Sequence, residues 1–378
     1  MKKRLLICLF LSLAIPGILA GCGKDNVWHK KPGSGSILGR STDIEENGNR
    51  MEDMDWERIR ISPDTEITEL EEGLSVVCYE GEYGFDGFLD QGGADSDANV
   101  AKYLMEQMSS NGLNILFGGN PFGCSTLSVA SSGGGYLFGR NFDWDSCDGL
   151  IISSRPEQGY ASVSTVNMDF IQAGGVDISR FPDNVCAVVG LYAPLDGMNE
   201  KGFAVSVNMI QDSDTIDQDT GKPDLTTTTA VRLLLDQAAD VQEAITLLGQ
   251  YDLHASMGMM VHFALADAKG NCVVVEYIEN EMVVTDTAVV TNFYLAQGEK
   301  YGVGTKQSHI RYEILKQALE ENETMTETDM KDVLDSVSKD GFGEFESTEW
   351  SIVMDQEAKE LTYFHREDYG RGYTIPVG

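Results

Sequence analysis

The sequence predicts a layered α+β sandwich over residues 124–378, and three observations point to it. Short strand-like runs recur there in two groups. Amphipathic helical stretches are gathered between those groups instead of alternating with the strands one by one. Glycine-rich or polar breaks separate neighbouring runs at hairpin spacing. The chain has 378 residues, 42% of them hydrophobic, and 40 glycines, enough for one large domain or two ordinary ones around a buried core. That composition excludes a disordered protein.

The first residues read as an export signal. Lys2, Lys3 and Arg4 supply a positive start, and the apolar run at 5–19 is too short to span a bilayer as a stable anchor. The run ends in Leu19-Ala20-Gly21-Cys22, which resembles the bacterial lipoprotein processing box. That resemblance implies removal of residues 1–21 and lipidation of Cys22, so that membrane attachment is through the lipid and the protein sits at the outer face of the cytoplasmic membrane. Losing the signal takes the net charge from −34 to about −37, which opposes binding to nucleic acid or to anionic lipid surfaces. Residues 22–49 are polar, contain PGSGS and lack apolar periodicity, as a flexible tether would. Residues 50–123 are acid-rich with few apolar pieces, a strand-like run at 74–79 and a helix around Val100, Leu104 and Met108, and read as a partly folded pro-segment.

After Gly123 the texture changes. Runs at 125–130 and 136–141 flank SSGGG and form a hairpin, with further strands at 150–154, 186–192 and 203–209. Two helices follow. One carries Val231, Leu234, Leu235 and Ala238 on a single face; the other starts at Asp240, with Glu243 in capping-box position, and ends at Gly249. Strands resume at 260–266, 272–277, 282–285 and 288–291, a helix with Ile310, Ile314, Leu315, Ala318 and Leu319 comes next, and a hairpin at 350–354 and 361–365 closes the chain.

Of seven cysteines, Cys8 leaves with the signal and Cys22 is the lipid site. Cys78, Cys124, Cys147, Cys186 and Cys272 remain, an odd number with no C-x-x-C pair and no metal-like spacing, so at least one thiol is unpaired. A cysteine at a chain terminus carries its own base: an α-amine has an unperturbed pKa of about 7.7 to 8 and can take the thiol proton near neutral pH.

The order Gly123-Cys124, a glycine-rich hairpin, then GRNFDW at 139–144 resembles the choloylglycine hydrolase and penicillin V acylase family of N-terminal nucleophile hydrolases. The likeness continues through GMNEKGFAVSVN at 197–208, DAKGNCVVVEY at 267–277, VVTN at 289–292 and WSIVMD at 350–355, covering the chain from Cys124 onward. It implies a four-layer αββα sandwich and a catalytic cysteine exposed by a cut after Gly123, with no cofactor and no metal.

Carried over residue by residue, the resemblance makes Cys124 the nucleophile and places Arg140 beside its sulfur. It has Asp143 hold the α-amine from the same face of the strand end. Asn208 and Asn292 form the oxyanion hole, and Arg311 is the later arginine of the site. Taken singly, Cys124 reads as a small core hydrophobe, Arg140 and Asp143 as a strand-end ion pair, Asn208 and Asn292 as turn caps, and Arg311 as a solvated helix charge. Their ordered occurrence together supports the catalytic reading. None of His29, His254, His262, His309 and His365 lies in a family signature; His262, in a strand, reads as a satisfied core side chain.

The expected function is hydrolysis of a linear N-acyl amide outside the cell through a thioester on Cys124. Glycine at 123 is expected to let the backbone adopt a strained shape for self-cleavage. Only residues 293–307 separate Asn292 from Ser308, where bile salt hydrolases carry a long assembly segment. A monomer and a homo-oligomer both remain open. The alternatives are an acyltransferase of the same fold, as in isopenicillin N acyltransferases, and a ligand-binding lipoprotein.

Overall fold

The computed structural model describes residues 57–58, 66–108, 123–172, 181–297, 301–340 and 346–378. The export signal, Cys22, the tether with His29, and much of residues 50–65 and 109–122 lie outside the described residues.

Two sheets face one another. In the first, the strands run in the order Glu57–Arg58, Tyr373–Pro376, Glu360–His365, Ser347–Asp355, Tyr136–Trp144, Gly123–Ser131 and Val289–Val290, with Thr324–Met325 also pairing to Gly123–Ser131. In the second the order is Glu281–Asp286, Cys272–Ile278, Val261–Ala266, Ala204–Met209, Asp196–Asn199, Ser162–Asn167, Gly149–Arg155, Leu74–Glu80 and Thr68–Glu71. Helices Lys306–Glu321 and Glu327–Ser336 cover the first sheet, and Asp183–Leu191, Thr227–Gln237 and Val241–Leu248 cover the second. This is the expected αββα sandwich.

The period of two along each strand divides its side chains between layers. On Gly123–Ser131 and Tyr136–Trp144, Leu127, Val129 and Leu137 join Leu315, Met330 and Leu334 beneath the helices, whereas Cys124, Phe138 and Phe142 belong to the large core between the sheets. There Phe142 stacks on Trp350 with ring centroids 3.9 Å apart.

Two readings from sequence are corrected. Residues 186–192 were expected as a strand, yet Asp183–Leu191 is a helix, entered from Pro182 at its N-cap with Asp183 in the first turn. A continuous apolar run carries no period, so it does not separate a buried strand from a buried helix. The stretch before Cys124, expected as a partly folded pro-segment with thin apolar content, supplies two strands of the second sheet over its described residues. Leu74–Glu80 pairs parallel with Gly149–Arg155, and Thr68–Glu71 continues the same sheet. Phe85 and Phe88 pack edge-on to Tyr192 at centroid distances of 5.4 and 5.6 Å. The Tyr83 hydroxyl donates to Asp236, which also pairs with the buried Arg232 at 2.6 Å. The apolar groups of this stretch are few because they complete a core supplied mainly by residues beyond 124.

Candidate active site

Cys124 is the second residue of its strand, opposite Phe142, and is 0% exposed. Its thiol donates to the Val207 carbonyl at 3.6 Å, across the gap between the sheets. The Arg140 Nη1 donates to that same carbonyl at 2.9 Å, which brings the guanidinium beside the sulfur. Arg140 is fully buried, with its Nε 2.5 Å from Asp196 Oδ2, an oxygen that also accepts from Trp350 Nε1 at 3.1 Å. Burial pushes the Cys124 thiol up to about 11; Arg140 opposes this, Asp143 adds to it, and Arg311 and the Met209 amide oppose it. At pH 7 Cys124 is therefore a neutral thiol.

The opposite face of the strand carries the remaining charges. Arg311, buried on the inner side of its helix, donates from Nη1 to the Cys124 carbonyl at 2.8 Å, Ser125 Oγ at 2.6 Å and Asp143 Oδ2 at 3.0 Å. Its Nη2 donates to Asn292 Oδ1 at 2.7 Å. That oxygen also accepts the Cys124 backbone N–H at 3.0 Å, while Asn292 Nδ2 donates to the Met209 carbonyl at 2.8 Å. The amide orientation of Asn292 is thus set by a donor pair on one side and a carbonyl on the other.

Arg140 and Asp143 do not share a face. Three residues apart on a strand, they point to opposite sides: Arg140 into the sheet interface, Asp143 toward the helices. Asp143 is held by Arg311, by Thr348 Oγ1 at 2.8 Å and by Lys339 Nζ at 3.4 Å, and it is Asn292 that holds the Cys124 nitrogen. Asn208 is one step removed: it bonds Thr126 Oγ1 at 3.1 Å and the Val290 carbonyl at 3.5 Å. Arg311 is 2% exposed instead of solvated, whereas Ile310, expected in the helix's apolar face, is 37% exposed. The inner face here is polar because it meets the strand end at Cys124.

Gly123 is also not as expected. It lies within the strand opposite Asp143 and has no left-handed φ. Its need is for space: a Cβ there would lie 2.3 Å from Glu346 Oε1, 2.6 Å from Lys339 Nζ and 2.9 Å from Asp143 Oδ2.

Sequence reasoning missed Asp196, Lys339, Glu346 and Thr348, which lie in stretches given no element or motif. His262 is the satisfied core side chain expected. That ring is 0% exposed, with Nδ1 3.1 Å from Glu276 Oε1 and Nε2 2.8 Å from the Thr291 carbonyl. Glu276 further accepts from the Leu295 and Ala296 amides at 2.8 and 2.9 Å, bracing the loop that carries Asn292. A glutamate inside the apolar run CVVVEYI was the available signal. Among the described residues no cluster of side chains could hold a metal ion.

Comparison with known proteins bears on this site directly. Residues 124–298 match the model of linear amide C-N hydrolases, choloylglycine hydrolase family, starting at Cys124 itself. Over these residues, a little under half of the chain, the sequence resembles the choloylglycine hydrolase family. Its catalytic region is accordingly that of a hydrolase acting on non-peptide C–N bonds in linear amides.

A variant of conjugated bile acid hydrolase from Clostridium perfringens shares the fold, at 17% identity and TM-score 0.50, over 67% of this chain and 92% of that one. Penicillin V acylase from Agrobacterium tumefaciens aligns at 19% identity and TM-score 0.43, over 64% and 83%. A Caenorhabditis elegans ortholog of N-acylethanolamine-hydrolyzing acid amidase aligns at 17% and 0.43, over 68% and 100%. No curated protein sequence matches the chain. In this chain residues 66–108 lie before the matched region yet inside the same sandwich.

Proposed function

We propose that the chain is the precursor of an extracytoplasmic amidase, activated by a cut between Gly123 and Cys124, with Cys124 as nucleophile. The observation that carries this reading is the position of that bond. It sits between Arg140 on one side of the strand and Asp143, Asn292 and Arg311 on the other, with the sulfur shut off from solvent.

Cleavage converts the Cys124 amide nitrogen, which holds no proton acceptor capacity, into an α-amine with an unperturbed pKa of about 7.7 to 8. The amine takes the thiol proton, the thiolate attacks the carbonyl carbon of a linear N-acyl amide, and a tetrahedral intermediate forms. Asn292 and Asn208 donate to its oxyanion once the uncut chain's contacts to Met209 and Thr126 are exchanged for substrate. The ammonium protonates the leaving amine, and water hydrolyses the thioester. No cofactor enters the scheme.

Localisation at the outer face of the cytoplasmic membrane is part of the same proposal and rests on the sequence Leu19-Ala20-Gly21-Cys22. The deciding experiment is intact-mass analysis of the purified protein with a thiol-directed acylating probe. A catalytic chain starting at Cys124 and carrying the probe is expected; an uncut, unlabelled chain overturns the proposal.

A further inference from the structure

We infer that Glu346 is the general base of the self-cleavage step, acting on the water that hydrolyses the intermediate at Gly123, with Lys339 holding the carboxylate this leaves on Gly123. The inference rests on the reading that the chain cuts itself at Gly123-Cys124 and adds the residues that finish the cut.

The geometry at Gly123 carries it. Glu346 Oε1 lies 2.3 Å from the position of a Cβ on that glycine, hence within about 4 Å of its Cα for a carbon–carbon bond of about 1.5 Å. That oxygen is buried and has no hydrogen-bond partner among the described residues, while its sister Oε2 is held by Lys339 Nζ at 2.7 Å. One oxygen is anchored and the other is aimed at the residue whose carbonyl reacts. Cys124 Sγ leaves the strand on the other face, toward Val207, so sulfur and carboxylate approach Gly123 from different sides. Lys339 Nζ, 2.6 Å from the same Cβ position, is a cation beside the residue that becomes the new carboxylate. Burial raises the Glu346 carboxyl above the ordinary glutamate range, with Lys339 pulling against it and Asp143 adding to it, which suits a group that must accept a proton.

The steps balance as follows. The Cys124 thiol adds to the Gly123 carbonyl carbon; the C–S bond forms, the C–N bond breaks, and the thiol proton ends on the Cys124 nitrogen, now an α-amine. Water then adds to the resulting thioester. Glu346 takes one water proton and then releases it to solvent, the C–O bond forms, and the C–S bond breaks with the sulfur leaving as a thiolate. Gly123 ends as a carboxylate and its proton goes to the α-amine.

The test uses the full-length precursor and follows the cut by intact mass, with and without hydroxylamine, a nucleophile that opens thioesters without a base. The variant E346Q is expected to mature at least 100-fold more slowly than wild type, in line with the usual contribution of a general base. Hydroxylamine is expected to restore the cut and leave a hydroxamate on Gly123. The shorter carboxylate of E346D is expected to mature at an intermediate rate with the same rescue, and guards against misfolding of E346Q. Maturation of E346Q at the wild-type rate, or failure of hydroxylamine to cut either variant, overturns the inference. If wild type itself stays uncut, it is the reading of Cys124 that fails; if wild type cuts and both variants keep pace with it, only the role of Glu346 fails.

Discussion

An alanine at position 123 would force its methyl group against Glu346, Lys339 and Asp143, at 2.3, 2.6 and 2.9 Å from their polar atoms. Gly123→Ala is therefore expected to block maturation, with an overpacking cost of about 1–3 kcal/mol in the precursor; normal processing by intact mass would count against the crowding. Asp143→Asn removes a carboxylate that Arg311 and Lys339 share through Oδ2, and stripping one partner from buried charges typically costs about 3–5 kcal/mol. Urea unfolding of the uncut Cys124→Ala form with and without this change measures it. The Cys124 thiol at about 11 gives a signed pH dependence. Below that value the thiolate fraction rises about tenfold per pH unit. The acyl shift, followed with hydroxylamine present so that hydrolysis does not limit, is expected to accelerate on that slope from pH 6 to 9, and a flat profile would refute thiolate attack. At this scale the sequence was most legible where family motifs name residues: Cys124, Asp143, Asn292 and Arg311 meet in one hydrogen-bonded network, and Arg140 joins it through Val207. It was silent on Lys339 and Glu346, because their roles come from proximity across more than 200 residues and leave no local pattern.

Strands with a clean period and glycine turns were read well, since Gly123–Ser131 and Tyr136–Trp144 alternate between helix-facing and sheet-facing side chains as a half-polar strand must. Asp183–Leu191 was misread because its sequence is apolar on every face, and Ser162–Asn167 and Asp196–Asn199 were passed over because they are polar yet fully buried. The elements before Cys124 were underestimated for a related reason: half of each contact lies elsewhere in the chain. Tyr83 shows this. Its hydroxyl is a donor to Asp236, whose carboxyl burial raises despite Arg232. Tyr83→Phe withdraws a hydrogen bond to a charged group, and a loss of about 1.5–3 kcal/mol is expected in urea unfolding of the precursor; an unchanged midpoint would show that the contact adds nothing.

Across the whole molecule, the proposed cut after Gly123 would divide the sandwich without dividing its sheets. Leu74–Glu80 keeps its full pairing with Gly149–Arg155, so the two pieces are expected to co-elute from a sizing column and to separate only in denaturant. The sandwich also has an acid limit. His365 is buried and its pKa is lowered to about 4 by burial and by Arg366; Glu71, 3.6 Å from its Nδ1, does not offset them. Between about pH 6.5 and about pH 4 the unfolded chain binds this proton and the folded chain does not, so stability falls with pH across that window by about 3 kcal/mol. His365→Asn is expected to flatten that part of the stability curve. The cleavage site itself is assembled from stretches near residues 124, 143, 292, 311, 339 and 346, none of which is complete until both ends of the chain have folded onto one another. On the proposed reading, maturation would be a proofreading step: the bond would break only in a molecule whose fold is already right, so a chain that misfolds would stay a silent zymogen and never become a stray hydrolase.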